Sequence, residues 1–370
     1  MDGKRKKNGW AWMVTAVALA LLAAGITYQR EDLMAAWRVH QLPQSTAETR
    51  ISLTHKLAQT PQKSAGWLLY ALSDTLDAEP CLILGSALAS VTADLTIEEI
   101  QPLLTRSASL FRGMAPAGQE ATVRWAQTVL EASSGKGRLP DQAALAMQRL
   151  IEQAYLGEEP AVQAAALQLA APLFQTQPPK ALMAALKQLV QAGVKSADPG
   201  VQMQAISAAL LPDLDCLEDA AGCLKSPHRE VRQAAILALG SATEKIGEET
   251  LLPSLHDEDP EIAHLAQTAL QARGLREDQI RLGRLMSDPK PSRRLEVLDH
   301  LSTTRDIDPA LWLRKLSNDP SPAVRVAALR AMAQDPGLEL SDRVDQMEAN
   351  DPSQAVNKLA RFYKEHPVQR

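Results

Sequence analysis

At 370 residues the chain has room for two or three ordinary domains; 45% of it is hydrophobic, enough for a continuous core, yet only 4% is aromatic. So few aromatic residues argue against a sandwich or barrel and for closely packed helices filled by Ala and Leu. The net charge of −5 is uneven: Lys4, Arg5, Lys6, Lys7 and Arg30 against Asp2 put 1–30 at +4 and the rest of the chain at −9. A mildly acidic body has no broad attraction for nucleic acid or for an anionic membrane surface.

The first element is the run 10–28, WAWMVTAVALALLAAGITY, which carries no charge anywhere along it. At about 1.5 Å per residue, a helix of that length just spans a hydrocarbon core. Trp10, Trp12 and Tyr28 stand where an aromatic belt would sit, and Lys4, Arg5, Lys6 and Lys7 precede the run. The pattern predicts a single-pass anchor in the inner membrane, with residues 1–9 as a short basic cytoplasmic segment. The body is then expected on the periplasmic, extracytoplasmic side. A cleaved secretory signal, with Ala23, Ala24 and Gly25 near the cut, is the alternative and delivers the body to the same side.

From residue 31 the chain reads as helix pairs. The first are 31–42 with 45–59, where Ser45 and Glu48 stand in a capping-box relation, then 64–76 with 80–91. Next come 96–111, opened by Thr96 with Glu99 three residues later, and 117–132. Together 31–132 form an irregular helical-pair region. A Ser/Gly-rich link, Ser133 to Gly137, marks a joint. Helices at 140–156 and 159–173 follow, then 178–192, 201–211 with 213–221, 228–240 with 246–256, and 260–273 with 275–286. The last are 291–301 with 308–316, 322–334 with 339–348, and 352–365. No run alternates in the manner of a strand.

One pattern recurs through 199–365, the most regular part of a repeat region spanning 139–365. Its instances begin at Val201, Val231, Ile262, Arg293, Val324 and Val356, a nearly constant step along the chain. Four residues on lie Ala205, Ala235, Ala266, Val297, Ala328 and Ala360, on the same helix face. Alanine there lets a neighbouring helix approach closely. Asp198, Asp259, Asp288, Asp319 and Asp351, each followed by Pro, are helix-start signals. A period too long for one helix and right for two predicts an all-α superhelix, a solenoid of stacked helix pairs.

The segments DPSPAVRVAALRAM (319–332) and SPHREVRQAAILALG (226–240) resemble HEAT repeats, in particular the short bacterial form called PBS-lyase HEAT-like repeats. The likeness is clearest over 226–365, partial over 159–225 and general over 31–158. It implies that Asp319-Pro320 opens the second helix of its pair, and that Val324-Arg325 and Val231-Arg232 set Val on the inner seam and Arg near the inter-repeat turn. Departures are Ala263 after Ile262, Arg293 in place of an apolar residue, and Asn357 after Val356. The family binds proteins more often than it catalyses, and some members are associated with bilin attachment.

Candidate chemistry is sparse. Of seven histidines, His256 and His264 flank Asp257, Glu258 and Asp259, the ligand types of a metal site. An inter-helix turn with a helix-ending His accounts for the same run. Cys216 and Cys223, seven residues apart, are a candidate disulfide in an oxidising compartment, or else small buried hydrophobes; Cys81 stands alone. Arg229, Arg232, Arg325 and Arg330 read as helix residues with buried stems and solvated heads. No catalytic, cofactor-binding or metal-binding residue is assigned. Trp37, Trp67, Trp125 and Trp312 are the candidate partner contacts, with core packing the alternative for each one singly in a chain so poor in aromatics.

These features predict a membrane-anchored scaffold or accessory subunit of a membrane complex, with a protein partner and no cofactor or nucleic acid. The specific contact is expected in 31–158. An accessory lyase-type enzyme and a purely structural spacer are the alternatives.

Overall fold

The structure is a computed structural model, which describes residues 30–133, 137–301, 309–334 and 341–366. Every regular element among these residues is helical. The chain divides into two compact units, Met1–Asp219 and Ala220–Arg370.

The first unit holds α1 (30–41), α2 (Ala47–Leu57), α3 (Pro61–Asp74), α4 (Ala78–Thr92), α5 (Ile97–Leu110) and α6 (Pro116–Ser133). It continues with α7 (Asp141–Leu156), α8 (Pro160–Gln168), α9 (Ala170–Phe174), α10 (Lys180–Gly193) and α11 (Pro199–Ala209); α12 (Leu217–Ala220) spans the division. The helices form two layers. In one, α3 packs on α5, α5 on α7 and α7 on α10; in the other, α4 packs on α6, α6 on α8 and α8 on α11. Each unit of the stack touches its neighbours, which is consistent with an α-solenoid. Helix contacts run across 133–137, whose residues 134–136 lie outside the described set. At α10 and α11 the approach is close: a Cβ on Gly193 would lie 2.8 Å from that of Ala205, so only glycine fits opposite this alanine.

The second unit holds α13 (Arg229–Ser241), α14 (Pro260–Ala272), α15 (Glu277–Met286) and α16 (Pro291–Leu301). After these come α17 (Pro309–Leu316), α18 (Pro322–Gln334), α19 (Ser341–Asn350) and α20 (Gln354–Glu365). Here α13 packs on α14, α16 on α18 and α18 on α20, while α15 backs α16, α17 backs α18 and α19 backs α20. Leu282, Val297, Leu316, Val324 and Ala328 make a core shared by four helices.

Local chemistry explains where elements differ from the sequence pattern. The stretch 246–256 is not a helix but two 3-10 turns, Glu248–Thr250 and Leu252–His256. Pro253 has no N–H to continue an α-helix through it, and its ring would meet the carbonyl four residues back. The stretch 213–221 is likewise broken, with Asp215 left-handed at φ 49° between a 3-10 turn and α12. Pro172 accounts in the same way for the break between α8 and α9. Thr96 and Glu99 form the capping box of α5, whereas α2 begins after Thr46 without a side-chain cap, and Ser45 bonds back to Leu42 instead.

The expected membrane element is corrected. Among the described residues no helix is long and apolar enough to cross a membrane. The longest, α6, is 18 residues but carries Glu120, Arg124 and Glu131; the strongly apolar α4 has only 15. A span needs about 20 mainly apolar residues. Residues 10–28, on which the transmembrane helix, the single-pass inner-membrane topology and the periplasmic placement rested, lie outside the described residues. Among the described residues the fold is therefore all-α without that element, and nothing in them supports the inner-membrane localisation.

Candidate functional site

Three arginines of the second unit are engaged in holding its helices together. Arg232, the residue after Val231, donates through Nε and Nη2 to both carboxylate oxygens of Asp257, at 2.7 and 3.0 Å. Its Nη1 donates to the carbonyl oxygens of Ser226 and Pro227, at 3.0 and 3.4 Å. Arg294 repeats the arrangement with Asp319 (2.7 and 2.8 Å) and the carbonyls of Asp288 and Pro289. Arg325 repeats it again with Asp351 (both 2.8 Å) and the carbonyls of Asp319 and Pro320. Each aspartate also accepts the amide two residues on, from Asp259, Ser321 or Ser353.

These pairs are rungs of one ladder, with at most 10% of either side chain exposed. The fork of a guanidinium matches a carboxylate in bidentate fashion and leaves neither charge unpaired. Asp319 is a node: its carboxylate receives Arg294 and its carbonyl receives Arg325. Burial pushes the Asp351 carboxyl up, but Arg325 and the Ser353 amide outweigh it and hold it below its ordinary value. Helix periodicity places the heads of Arg232 and Arg325 in solvent; the structure buries both. Arg294 escapes notice in the sequence, because Arg293 occupies the seam position beside it. Arg293 faces solvent and pairs with Glu296 at 2.9 Å. The available signal is a nearly fixed Arg-to-Asp step, the same for Arg232 and Arg294 and one position longer for Arg325.

The acidic run at 256–264 is drawn into the same scheme. Asp257 belongs to Arg232; Asp259 receives Arg229 at 2.5 Å and accepts the Glu261 amide, which together lower its carboxyl. His256 Nε2 lies 2.7 Å from the Arg284 carbonyl. The three cysteines are free and buried. Burial raises the thiols of Cys81 and Cys216, and lifts Cys223 to about 11, so none is poised as a nucleophile at neutral pH. The candidate disulfide between Cys216 and Cys223 is thus absent from the structure.

The repeat residues Val201, Ala205, Val231, Ala235, Ile262, Ala266, Val324, Ala328, Val356 and Ala360 are all at most 1% exposed. The four tryptophans divide. Trp125 is buried and donates to Thr92 Oγ1 at 2.9 Å, and Trp312 packs against the α15–α18 core. Both therefore have structural work. Trp37 is exposed and Trp67 half-buried.

Trp37 and Trp67 lie on α1 and α3, which are tied at one end. Trp67 Nε1 donates to Asp32 Oδ1 at 3.0 Å, and Lys63 pairs with Glu31 at 3.6 Å. Further along, α1 and α3 leave a groove of about 230 Å³, lined among others by Val39, His40, Trp67, Tyr70 and Asp74, with buried Leu84 as part of its floor. Trp67 and Tyr70 meet edge to face with ring centroids 6.1 Å apart. Leu33, Trp37 and Tyr70 are each more than half exposed. Tyr70 does not stand out in the sequence; its place three residues after Trp67, on the same helix face, is the signal that could find it. Set against known proteins, the chain matches no family model and no curated protein.

Proposed function

We propose that the chain is a HEAT-repeat protein that works as a protein-binding scaffold or accessory subunit, with its specific contact in the first unit. The observation that carries the reading is the contrast between the two kinds of surface. In the second unit three arginines and three aspartates are taken up in structural rungs, each pair buried and bidentate. In the first unit Tyr70 stays exposed in the wall of a groove and Leu33 and Trp37 are exposed on α1, whereas the second unit exposes fewer large apolar side chains, Leu237, Leu311 and Phe362 among the described residues. Aromatic residues in such positions are the usual anchors of protein interfaces. The regular recurrence of Val, Ala and Arg, and the contacts of each helix pair with its neighbours, support the repeat reading.

Affinity capture of the intact chain from its native source, followed by size-exclusion chromatography, tests this. A stoichiometric protein that co-elutes with the chain supports the scaffold. Recovery of the chain alone would instead favour a spacer without a partner.

A further inference from the structure

We infer that the groove between α1 and α3 receives a basic segment of a partner protein, with one bulky apolar side chain seated against the Trp67–Tyr70 pair. The inference rests on the protein-binding reading and specifies the partner's chemistry. At about 230 Å³ the groove falls below the roughly 300–1,000 Å³ typical of small-molecule pockets, so it suits a side chain rather than a cofactor. Its walls are those an apolar anchor needs. Val39 and Leu84 are buried apolar surface, and the Trp67 ring is already fixed by its bond to Asp32, so little ordering remains for binding to impose.

Charge specifies the rest of the occupant. From Ser64 through Thr105 the chain contains no Lys or Arg, yet it carries Asp74, Asp77, Glu79, Asp94, Glu98 and Glu99. Asp74 lines the groove, and Asp77 and Glu79 follow on the turn into α4. These three carboxylates are exposed and belong to no ion pair among the described residues. Two nearby cations have partners of their own, Lys63 in Glu31 and Arg38 in the Lys56 carbonyl at 3.5 Å, while Arg106 lies against Gly66 on α3. An acidic rim around an aromatic cleft favours Lys or Arg flanking the apolar anchor, and repels an acidic segment.

The probes are two short fluorescein-labelled peptides of equal length with the same Trp and Leu positions, one carrying Lys and the other Glu at the remaining sites. Fluorescence anisotropy with the intact chain should show the Lys peptide binding at least about tenfold more tightly than the Glu peptide, and weakening as salt rises. Tyr70→Ser, and Asp74→Asn combined with Asp77→Asn, should each weaken the Lys peptide at least about fivefold. Leu237→Ala, at an exposed leucine of the second unit, should leave binding unchanged, and thermal melts would verify that every variant is folded. Equal binding of the two peptides, or binding indifferent to Tyr70→Ser, overturns the inference. So does a gain in peptide binding when Lys4, Arg5, Lys6 and Lys7 are replaced by glutamine, which would assign the groove to the chain's own basic head. Concentration-dependent self-association that excludes the peptide would assign the groove to a second copy and overturns the inference equally. If a native partner still co-elutes with the groove variants, the scaffold reading survives and only this inference falls.

Discussion

A guanidinium withdrawn from water without a carboxylate would cost several kcal/mol, so Arg294 is tolerated in its buried position because Asp319 meets it with both oxygens. Breaking one partner leaves the other charge stranded: Asp319→Ala is expected to destabilise the second unit by about 3–5 kcal/mol in urea unfolding. Asp351 adds a pH dependence. Its folded carboxyl lies below the ordinary value of 3.8, so its stabilisation is present above that value and is lost as pH falls through the folded one. Melting curves between neutral pH and pH 2 should therefore fall less steeply in Asp351→Asn, from a lower starting point, than in the parent chain. At the seam, Ala328 is fully buried between α18 and its neighbours, and Ala328→Leu is expected to overpack it at a cost of about 1–3 kcal/mol. An unchanged melting midpoint would contradict that packing. The alanines are legible in the sequence, because a four-residue step fixes one helix face whatever lies opposite. The arginines are not, since their partners lie on the next helix pair, and one chain's periodicity does not show which turn faces which.

Among the elements, α14 is the exception that locates a missing rung. The ladder position after Ile262 is Ala263, and Asp288 stands as far beyond it as Asp257 stands beyond Arg232 and Asp319 beyond Arg294. Asp288 accepts the Lys290 amide as the rung aspartates accept theirs. Ala263→Arg is expected to complete the rung and raise stability by roughly 0.5–1 kcal/mol, read as a higher melting midpoint. A midpoint that falls would mean that α14 and the turn before α16 are not aligned as the other pairs are. Helix existence is readable from apolar periodicity almost throughout, and Asp-Pro or Ser-Pro places many of the starts. The failures at 213–221 and 246–256 have one cause: apolar spacing persists through short 3-10 turns, whereas Pro212, Pro253 and the left-handed Asp215 break the α-helical ladder. Trp125, a candidate partner contact with core packing as its alternative, is found in the core. Its hydrogen-bond acceptor, Thr92, lies on a different helix, α4, and nothing local marks the ring as buried.

On the scale of the whole molecule, the two units distribute their surface chemistry differently. In Ala220–Arg370, arginine rungs tie successive helix pairs, and cohesion follows from neighbour contacts. In Met1–Asp219, the stack is held mainly by apolar packing of Leu and Ala, and large side chains remain exposed near its first helices. The division between the units, at 219 and 220, coincides with the broken helices around Asp215 rather than with the Ser/Gly-rich link at 133–137, across which helices pack. Composition alone favours the Gly-rich stretch, because it cannot register the contacts of α6 with α8. The most direct test of the binding assignment is crosslinking mass spectrometry on the intact chain in complex with its co-purified partner. The expected result is a set of intermolecular crosslinks concentrated on α1 to α4, with the partner's linked segment rich in Lys or Arg. Crosslinks confined to 220–370, with none in 30–92, would contradict it.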